Sequence, residues 1–513
     1  MIRSKPLWVT GVLVIIFVMV TIAGQLMARH GASLAFQPVE PLPGTAVPLA
    51  QSSNAPFPDQ ETSRLMDALI DPNTPQGSRL RTILAAHDIR FIAVLIEMLR
   101  ASQIGLVKTI DDAAVVEALE QLSGHQFGAD WPAWVEWYGT SLLVPPPGFT
   151  GWKGRLLSRI DPRFGEFLIE GAPSQIRVEE IQWGGVVVDG ILALDNPPMI
   201  QAIAATYLTP QEPVFGLSVN GDARAYPLRI LDWHEMVNDV VGGTPVSLAY
   251  CTLCGTGIAY AGHASDGRTY TFGSSGLLYR SNKLMYDRQT RTLWNQLTGE
   301  PVLGALAGTT IRLSLVPVVL ASWRDWRNEH PTTKVMDINT GYERTYASGV
   351  PYGQYFSSPN TMFPVWRRSK ALPAKARVYA LRLDGVPKAY PIEVLAARRV
   401  VNDVVGHTSV VLVATRGIVA VRGRREAGVV DRVRAGNVTY SAGGEVRAYR
   451  RGVERFHPGE DANTILDSGG RRWHITENAL VAATGARAPR INGFLAYWFG
   501  WYEFFPQTLV YRP

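Results

Sequence analysis

The chain has 513 residues, of which 46% are hydrophobic and 18% are charged, a balance typical of folded globular proteins and not of disordered ones. This length exceeds what one ordinary hydrophobic core supports, so about two to four domains are expected. The 50 Lys and Arg residues against 44 Asp and Glu residues leave a formal net charge of +6, too small a basic excess to predict nucleic-acid binding.

The N-terminus has the features of a membrane anchor. Residues 7–28, LWVTGVLVIIFVMVTIAGQLMA, carry no charged side chain. A run of about twenty such residues spans a bilayer core, whereas the apolar part of a cleaved signal peptide has about 7–15 residues. We therefore predict an uncleaved transmembrane helix within residues 1–30. Arg3 and Lys5 precede it, which predicts a cytoplasmic short end and an extracytoplasmic bulk, either periplasmic or at the cell surface.

A linker and a helical domain are predicted next. Residues 31–60 are rich in Pro, Ala and Ser, a composition typical of linkers. Residues 61–145 space apolar side chains three and four apart, as in DDAAVVEALEQLSG, which predicts a small all-α domain resembling helical repeats. We expect Trp131, Trp134 and Trp137 to close its core. This domain is the candidate surface for a protein partner, and the membrane is the partner expected for the anchor.

The rest of the chain is predicted to be a duplicated, mainly β domain pair. From about Ile176 onwards, short runs of alternating β-branched, aromatic and polar residues are separated by glycines, as in strands joined by turns. The segment that starts at Val214 recurs without a gap from Val378, and both copies contain AYP and VNDVVG. The predicted fold class is therefore α+β, with copy one in residues 176–366 and a degenerate copy two in residues 367–513.

Positions shared by both copies are expected to serve the fold. The Asn and Asp of VNDVVG are predicted to cap a helix end and to form a turn. Asp287 with Trp294, and Asp467 with Trp473, occupy matching places and are predicted to share a hydrogen bond and core packing in each copy.

Positions that carry reactive groups in only one copy are the candidates for function. Copy one holds both cysteines of the chain, Cys251 and Cys254 of CTLCG, together with His234, Glu235 and Met285. Copy two has Thr, Ile, Arg, Arg and Ile at the aligned positions. If copy two had lost one functional site, all five of these residues would be expected to be absent from it together.

A CxxC pair followed by glycine matches a metal knuckle, because the tight turn lets both thiolates face one ion. A tetrahedral ion then needs two more ligands, for which His234 and Met285 are the candidates. Thiolate, imidazole and thioether ligands suit copper or zinc. A structural disulfide and a thiol–disulfide redox pair are the other possibilities, since exported cysteine pairs tend to oxidise.

Two cofactor classes are excluded by the same stretch of sequence. Attachment of c-type haem needs CxxCH, and Gly255 stands where that histidine would be. The segment FGSSGLLYRSN lacks the GK[ST] ending of a phosphate-binding loop, so no nucleotide is expected.

The motifs of copy one resemble a known family. ARAYPLRILDWHEMVNDVVGGTPVSLAYCTLCGTG and FGSSGLLYRSNKLMYDRQTRTLWNQLTGEPVLG are similar to the family named domain of unknown function 3179. The resemblance covers residues 176–366 strongly and copy two more faintly. It implies no mechanism, but it places in family motifs the residues Cys251, Cys254, His234, Glu235, Met285 and Asp287. Residues expected to surround the ligands are Glu235, Asp287, Tyr286 and Trp294.

The sequence thus predicts a membrane-anchored, extracytoplasmic protein with a metal or redox site based on its two cysteines, the metal being copper or zinc. The alternative is a non-enzymatic, partner-binding scaffold in which Cys251–Cys254 is a structural disulfide. The residues alone do not decide whether the protein is an enzyme.

Overall fold

The computed structural model describes residues 57–73, 76–107, 111–425 and 435–513. These residues form two compact units, the first ending at Gly171 and the second beginning at Ala172. Within the four ranges, no helix is long and apolar enough to cross a membrane. The predicted anchor in residues 1–30 lies outside the described residues, and so does most of the predicted linker. The mixed α+β class is confirmed, and the predicted domain boundaries stay predictions.

The first unit is helical throughout the part that the structure describes. Its helices are α1 (Asp59–Ile70), α2 (Gln76–Ala86), α3 (Phe91–Gln103), α4 (Asp112–Ser123), α5 (Trp131–Thr140), α6 (Phe149–Leu157) and α7 (Phe164–Phe167). The side chain of Asp111 caps α4, and Gly124 ends this helix in the left-handed conformation that glycine favours. Trp134 and Trp152 are fully buried, and Trp152 Nε1 donates to the Met66 carbonyl (2.8 Å), which joins α6 to α1.

The second unit is built mainly of short strands. Its α-helices are α8 (Leu228–His234), α9 (Trp323–Glu329), α10 (Gly353–Ser357), α11 (Ile392–Arg398) and α12 (Trp498–Tyr502). The strands up to residue 336 are β1 (Ile181–Trp183), β2 (Leu194–Asp195), β3 (Met199–Gln201), β4 (Pro213–Val219), β5 (Asp222–Pro227), β6 (Met236–Val241), β7 (Thr244–Cys251), β8 (Thr256–Ala264), β9 (Phe272–Tyr279), β10 (Asn282–Asp287), β11 (Leu293–Asn295), β12 (Glu300–Leu303), β13 (Leu313–Val316), β14 (Val318–Ser322) and β15 (Lys334–Met336). Those that follow are β16 (Arg377–Leu383), β17 (Val386–Pro391), β18 (Val400–Val405), β19 (Thr408–Val413), β20 (Ile418–Arg425), β21 (Gly436–Gly444), β22 (Arg447–Arg450), β23 (Phe456–Pro458), β24 (Thr464–Asp467), β25 (Arg472–Ile475), β26 (Ala479–Ala482), β27 (Arg487–Ile491), β28 (Phe494–Tyr497) and β29 (Leu509–Val510).

One sheet of each copy has the same topology. In copy one, the order β14-β4-β5-β15-β3 contains an antiparallel β14–β4 pair and a parallel β5–β15 pair. Copy two has β28-β16-β17-β29 with the matching antiparallel β28–β16 and parallel β17–β29 pairs. The remaining sheets have the orders β1-β9-β10-β11-β12, β13-β8-β7-β6-β2, β18-β19-β22-β27-β26-β25-β24-β23 and β20-β21. Both copies contribute to one large apolar cluster that includes Leu248, Tyr250, Tyr379 and Leu412.

Matching hydrogen bonds accompany the shared topology. The Tyr226 hydroxyl donates to Asp239 (2.7 Å), as the Tyr390 hydroxyl donates to Asp403 (2.8 Å). The indole of Trp294 donates to Asp287 (2.8 Å), and that of Trp473 donates to Asp467 (2.9 Å). The structure therefore contains the hydrogen bond expected at this shared position in each copy.

The prediction for VNDVVG was wrong, because the motif forms strands β6 and β18 rather than a helix cap and turn. Asn238 exchanges two hydrogen bonds with the backbone of Phe272, donating to its carbonyl at 2.9 Å and accepting from its amide at 3.0 Å. Asn402 does the same with Phe456, at 2.7 and 2.8 Å. The amides of these asparagines join separate strands, a long-range role that local turn propensity does not reveal.

Candidate functional site

The CxxC motif forms the tip of a β-hairpin. Strands β7 and β8 pair antiparallel as far as Cys251 and Thr256, which leaves residues 252–255 as the connecting loop. Cys251 and Cys254 form a disulfide, with Cα atoms 5.5 Å apart. Both residues are buried, with exposed fractions of 2% and 0%. The site is therefore an oxidised cysteine pair that solvent barely reaches.

Each sulfur atom has a hydrogen-bond donor beside it. The Cys254 amide donates to Cys251 Sγ (3.3 Å), and the Thr256 hydroxyl lies 2.9 Å from Cys254 Sγ. Such donors stabilise a negatively charged thiolate, because hydrogen bonds to a charged sulfur are stronger than those to a neutral one. The loop is thus equipped to stabilise the sulfurs after reduction.

Glu235 contacts the residues on both sides of Cys251. Its backbone carbonyl accepts from the Tyr250 amide (2.7 Å), and its carboxylate accepts from the Thr252 hydroxyl (2.7 Å). The other carboxylate oxygen accepts from Lys283 Nζ (3.1 Å). Glu235 and Lys283 are both buried, so this is an ion pair within the protein interior.

A second carboxyl group lies near this ion pair. Asp232, on α8, is 2% exposed, and its Oδ1 atom accepts no hydrogen bond from the described protein groups. Burial raises the pKa of Asp232 well above its usual value, the Glu235 carboxylate raises that pKa further, and the Arg377 guanidinium opposes both effects. We therefore expect Asp232 to be a neutral carboxylic acid at pH values where exposed aspartates are charged.

Copy two closes one side of the hairpin tip. The Tyr497 amide donates to the Cys254 carbonyl (2.8 Å), and Arg377 Nη1 donates to the Gly255 carbonyl (3.1 Å). The Arg377 guanidinium also lies 3.9 Å from the centre of the Tyr497 ring. Gly500, on α12, packs so tightly that an added Cβ atom would lie 2.8 Å from Cys254 Cβ. The cysteine loop of copy one is thus completed by residues of copy two.

A tyrosine-rich segment, residues 340–357, closes another side, and we call it the strap. The Tyr346 hydroxyl lies 2.6 Å from both His234 Nε2 and Thr340 Oγ1. The Tyr355 hydroxyl donates to the Leu253 carbonyl (2.5 Å), inside the CxxC loop. Trp233 Nε1 donates to the Thr345 carbonyl (3.0 Å). These bonds fasten the strap to the hairpin tip and to the end of α8.

The predicted ligands His234 and Met285 have other contacts in this structure. Burial lowers the pKa of His234 to about 4, so its ring is neutral at pH 7. Its Nδ1 atom lies 2.8 Å from the Leu192 carbonyl, and Nε2 faces the Tyr346 hydroxyl, so both ring nitrogens have partners. Met285 is fully buried in an apolar cluster with Met236, Ala249 and other hydrophobic residues. The contacts of His234 and Met285 therefore do not bring these two residues together with the cysteines as one set of metal ligands.

The residues predicted to surround the ligands divide into two groups. Glu235 lies in the cysteine loop's own hydrogen-bond network. Tyr286 donates instead to Asp189 (2.7 Å), and Asp287 binds Thr290 and Trp294 in a local turn. Because Asp467 and Trp473 repeat the contact between Asp287 and Trp294, that contact is a feature of the fold.

A buried charge network occupies the matching hairpin tip of copy two. Arg416, aligned with Thr252, pairs with Glu445 and with Glu329 (2.7 Å) from α9 of copy one. Carboxylate oxygens of Glu329 and Glu477 lie within 4.8 Å of His330, the one potential metal-ligand triad found among the described residues. Arg447 binds both carboxylates, at 2.9 and 2.5 Å. Guanidinium groups already neutralise these glutamates, which disfavours a cation there.

Sequence reasoning missed the contribution of copy two and of Lys283 to the cysteine loop. The internal comparison singled out Glu235 because arginine replaces it in copy two, and the same comparison could have been extended to Lys283. No comparable difference between the two copies pointed to Arg377 or Tyr497. Their role depends on how the two copies pack, which no local pattern encodes.

Replacing Gly255 by alanine should lower the free energy of unfolding by about 2–3 kcal/mol. Gly255 has a φ of +64°, and a Cβ atom there would lie 2.2 Å from Arg377 Nη1. The substitution therefore combines backbone strain with displacement of the guanidinium. Chemical denaturation of the oxidised protein measures the loss.

Gly417→Ala is the matched control for this substitution. Gly417 lies in the corresponding loop of copy two and has a φ of +73°, but no atom lies within 4 Å of the position of its missing Cβ. It should lose only the roughly 1 kcal/mol that a left-handed non-glycine residue costs. Equal losses of unfolding free energy at the two positions would show that displacing the Arg377 guanidinium adds no cost to the Gly255 substitution.

Comparison with known proteins agrees with the motifs that surround this site. A family model described as "Protein of unknown function (DUF3179)" matches residues 188–508, well over half of the chain, and spans the hairpin and the copy-two residues that close it. No curated protein matches the chain, and no solved structure does either. The resemblance inferred from the motifs is confirmed: the chain belongs to the DUF3179 family.

Proposed function

We propose that the protein is a membrane-anchored, extracytoplasmic thiol–disulfide redox protein with Cys251–Cys254 as its redox pair. The observation that carries this proposal is the pair of donors beside the sulfurs, the Cys254 amide and the Thr256 hydroxyl. A disulfide that serves only as a staple needs no donor for a thiolate. These donors favour the reduced form, which makes a disulfide more oxidising.

The short loop argues against a purely structural role. In the chain-entropy account, a disulfide stabilises a protein mainly by restricting its unfolded chain, and the effect shrinks with the size of the closed loop. Cys251 and Cys254 are three positions apart, for which the stabilisation is only about 2 kcal/mol. A scaffold would gain little from such a bond, so the partner-binding scaffold is the less favoured alternative.

The reaction that we propose transfers two electrons and two protons from a dithiol partner. A partner thiolate attacks Cys251 Sγ, the Cys251–Cys254 bond breaks, and Cys254 leaves as a thiolate that takes up a proton. The second partner thiolate then attacks the partner sulfur of the mixed disulfide, which closes the partner's disulfide. Cys251 is released as a thiolate and takes up the second proton. Electrons gained by the protein equal those lost by the partner.

Cys251 is the attacked residue in this scheme because Cys254 is the more enclosed of the two. Both cysteines are buried, and Gly500 packs directly against Cys254. The strap is bonded to the loop through Tyr355, and both cysteines are buried, so we propose that the strap moves before a partner reaches the disulfide. The proposed partner is therefore a thiol that enters when the strap opens.

An extracytoplasmic location fits an oxidised pair, because disulfides persist outside the reducing cytoplasm. The N-terminal anchor would keep the redox pair near the membrane, and the helical unit remains the proposed surface for a protein partner. Support for the anchor comes from the uncharged run in residues 7–28.

Copper or zinc binding belongs to the reduced form, because metals bind thiolates and not disulfides. The residues present do not fit the predicted ligand set of two cysteines, one histidine and one methionine in this structure. Both ring nitrogens of His234 have other partners, and Met285 is enclosed in an apolar cluster. We therefore assign the metal no step in the reaction and treat it as an outcome of the test.

The proposal is tested by the redox potential of the pair. The purified protein is equilibrated in dithiol buffers of known potential, and free thiols are counted by alkylation and mass spectrometry. We expect a midpoint between about −270 and −120 mV, the range of catalytic dithiols. A midpoint below about −300 mV would identify a structural disulfide and overturn the proposal.

Cys251→Ser is the control, since it should show one alkylated thiol at every buffer potential. Metal content is measured on the reduced wild type and on this variant, both purified without chelators. One copper or zinc ion per reduced chain, lost in Cys251→Ser, would replace the redox proposal by the predicted metal site. Reduced protein without such an ion supports the redox proposal.

A further inference from the structure

We propose that Glu235, Lys283 and Thr252 form a clamp that positions Cys251 and thereby sets the redox potential of the pair. This inference rests on the proposed redox function and adds positioning residues to it. None of the three needs to touch the reacting sulfurs. They act by holding the backbone on both sides of Cys251.

The clamp holds the chain immediately before and immediately after Cys251. The carbonyl of Glu235 fixes the Tyr250 amide at 2.7 Å, and its carboxylate fixes the Thr252 hydroxyl at 2.7 Å. Two neighbours of one cysteine are thus bound by a single residue. Few conformations of Cys251 are compatible with both bonds.

Lys283 holds the clamp itself in place. Its ammonium group lies 3.1 Å from the carboxylate oxygen of Glu235 that does not bind Thr252. Lys283 is 4% exposed and Glu235 is 7% exposed. Buried ion pairs seldom increase stability over apolar residues of similar size, so a buried pair at this place favours a role other than stability.

The backbone of Glu235 is also in an unusual conformation. It has a φ of +54°, a left-handed geometry that is uncommon for residues other than glycine. This geometry ends α8 and turns the carbonyl toward Tyr250. Strained backbone is often found at functional sites, but strain alone does not separate function from fold.

Copy two separates the part of the clamp that serves the fold from the part that serves the site. Arg399 occupies the position equivalent to Glu235, has a φ of +63°, and accepts a hydrogen bond from the Ala414 amide (2.8 Å). The left-handed residue and its backbone bond therefore exist without any cysteine. The carboxylate, its lysine and the bonded threonine occur only where the cysteines occur. The side-chain half of the clamp is thus the part linked to the redox pair.

The clamp should favour the disulfide over the two thiols. In the reduced protein it keeps Cys251 close to the position that the disulfide requires, so less conformational entropy is lost when the bond forms. Without the clamp, the reduced loop has more conformations available. Loss of the clamp should therefore stabilise the reduced form and make the midpoint potential less negative.

Thr252→Val tests the clamp with the least disturbance. It removes the hydroxyl that binds Glu235 but leaves the Glu235–Lys283 pair intact. We expect its midpoint potential to rise by about 30 mV, which corresponds to a tenfold change in the equilibrium constant of a two-electron couple. Thr252→Ser, which keeps the hydroxyl, should have the same midpoint potential as the wild type. Equal potentials for valine, serine and wild type would overturn the inference.

Glu235→Ala and Arg399→Ala form a matched pair at equivalent left-handed positions. We expect Glu235→Ala to raise the potential at least as much as Thr252→Val does, and Arg399→Ala to leave it unchanged. An equal shift in Arg399→Ala would mean that general loosening of the fold moves the potential. A wild-type midpoint potential below about −300 mV rejects the redox function itself. A midpoint between about −270 and −120 mV that does not change in any clamp variant rejects only the clamp.

Discussion

Replacing Arg447 by alanine is expected to lower the free energy of unfolding by about 3–5 kcal/mol, because it removes the guanidinium that contacts three glutamates and leaves the buried carboxylates with fewer cationic partners. Arg447 is 3% exposed and binds three glutamates through its guanidinium. Nε and Nη2 bind Glu477 at 2.9 and 2.5 Å, Nη1 binds Glu445 at 2.6 Å, and Nη2 binds Glu329 at 2.9 Å. Alanine removes all of these donors at once.

Urea or guanidinium denaturation at pH 7 measures the loss, with Arg450→Ala as the control. Arg450 lies on the same strand, β22, but is exposed, so its substitution should change the unfolding free energy by no more than about 0.5 kcal/mol. Arg490 also lies near this network, with its Nη1 atom 3.4 Å from Glu477 Oε2. A loss below about 1 kcal/mol for Arg447→Ala would show that Arg416 and Arg490 suffice to neutralise the three glutamates.

Glu503 is expected to make the protein less stable as the pH rises from about 5 to 8. Burial raises the pKa of Glu503 to about 8, from an ordinary value of 4.5. Its Oε1 accepts from the Trp366 amide (2.5 Å) and the Ser281 hydroxyl (3.3 Å), while Oε2 has no partner among the described residues. A neutral carboxylic acid suits such an environment.

The direction of the pH effect on stability depends on which state, folded or unfolded, holds the proton of Glu503. Between pH 4.5 and 8 the folded protein holds a proton on Glu503 that the unfolded chain has released, so rising pH favours unfolding. The contribution of this one group approaches about 1.4 kcal/mol per pH unit within that window and vanishes outside it. Glu503→Gln has no proton to lose, so its stability should exceed that of the wild type at pH 8 by several kcal/mol.

Unfolding free energies at several pH values, compared between wild type and Glu503→Gln, isolate this contribution from all other titrating groups. Glu300→Gln, at an exposed position of β12, is the control and should leave the pH profile unchanged. Parallel profiles for the wild type and Glu503→Gln would mean that Glu503 is ionised in the folded protein.

The repeat made much of the second unit predictable. Comparison of the copies indicated that Asp287 with Trp294 belongs to the fold, and the structure shows the same bond between Asp467 and Trp473. It also directed attention to Glu235. The comparison could not show that VNDVVG forms strands, because the partners of Asn238 and Asn402 lie 34 and 54 residues further along the chain.

The surroundings of the cysteines were harder to predict than the cysteines themselves. His234 and Met285 have side chains suited to metals. In the structure, however, His234 contacts the Tyr346 hydroxyl of the strap, and Met285 packs in an apolar cluster. Arg377 and Tyr497 appear ordinary in the sequence. They reach the hairpin because the two copies pack against each other, and contacts between distant segments depend on tertiary packing.

That packing is reciprocal. The chain leading into α12 of copy two binds the cysteine loop of copy one through Tyr497, and α9 of copy one binds the matching loop of copy two through Glu329. Each copy therefore supplies part of the enclosure of the other's hairpin tip, and copy one alone would expose Cys254 where Gly500 now covers it. Copy two carries no cysteine but supplies part of the enclosure of the pair. Substitutions at Tyr497 or Gly500 should therefore disturb the cysteine pair from more than a hundred positions away, in the half of the duplication that carries no cysteine.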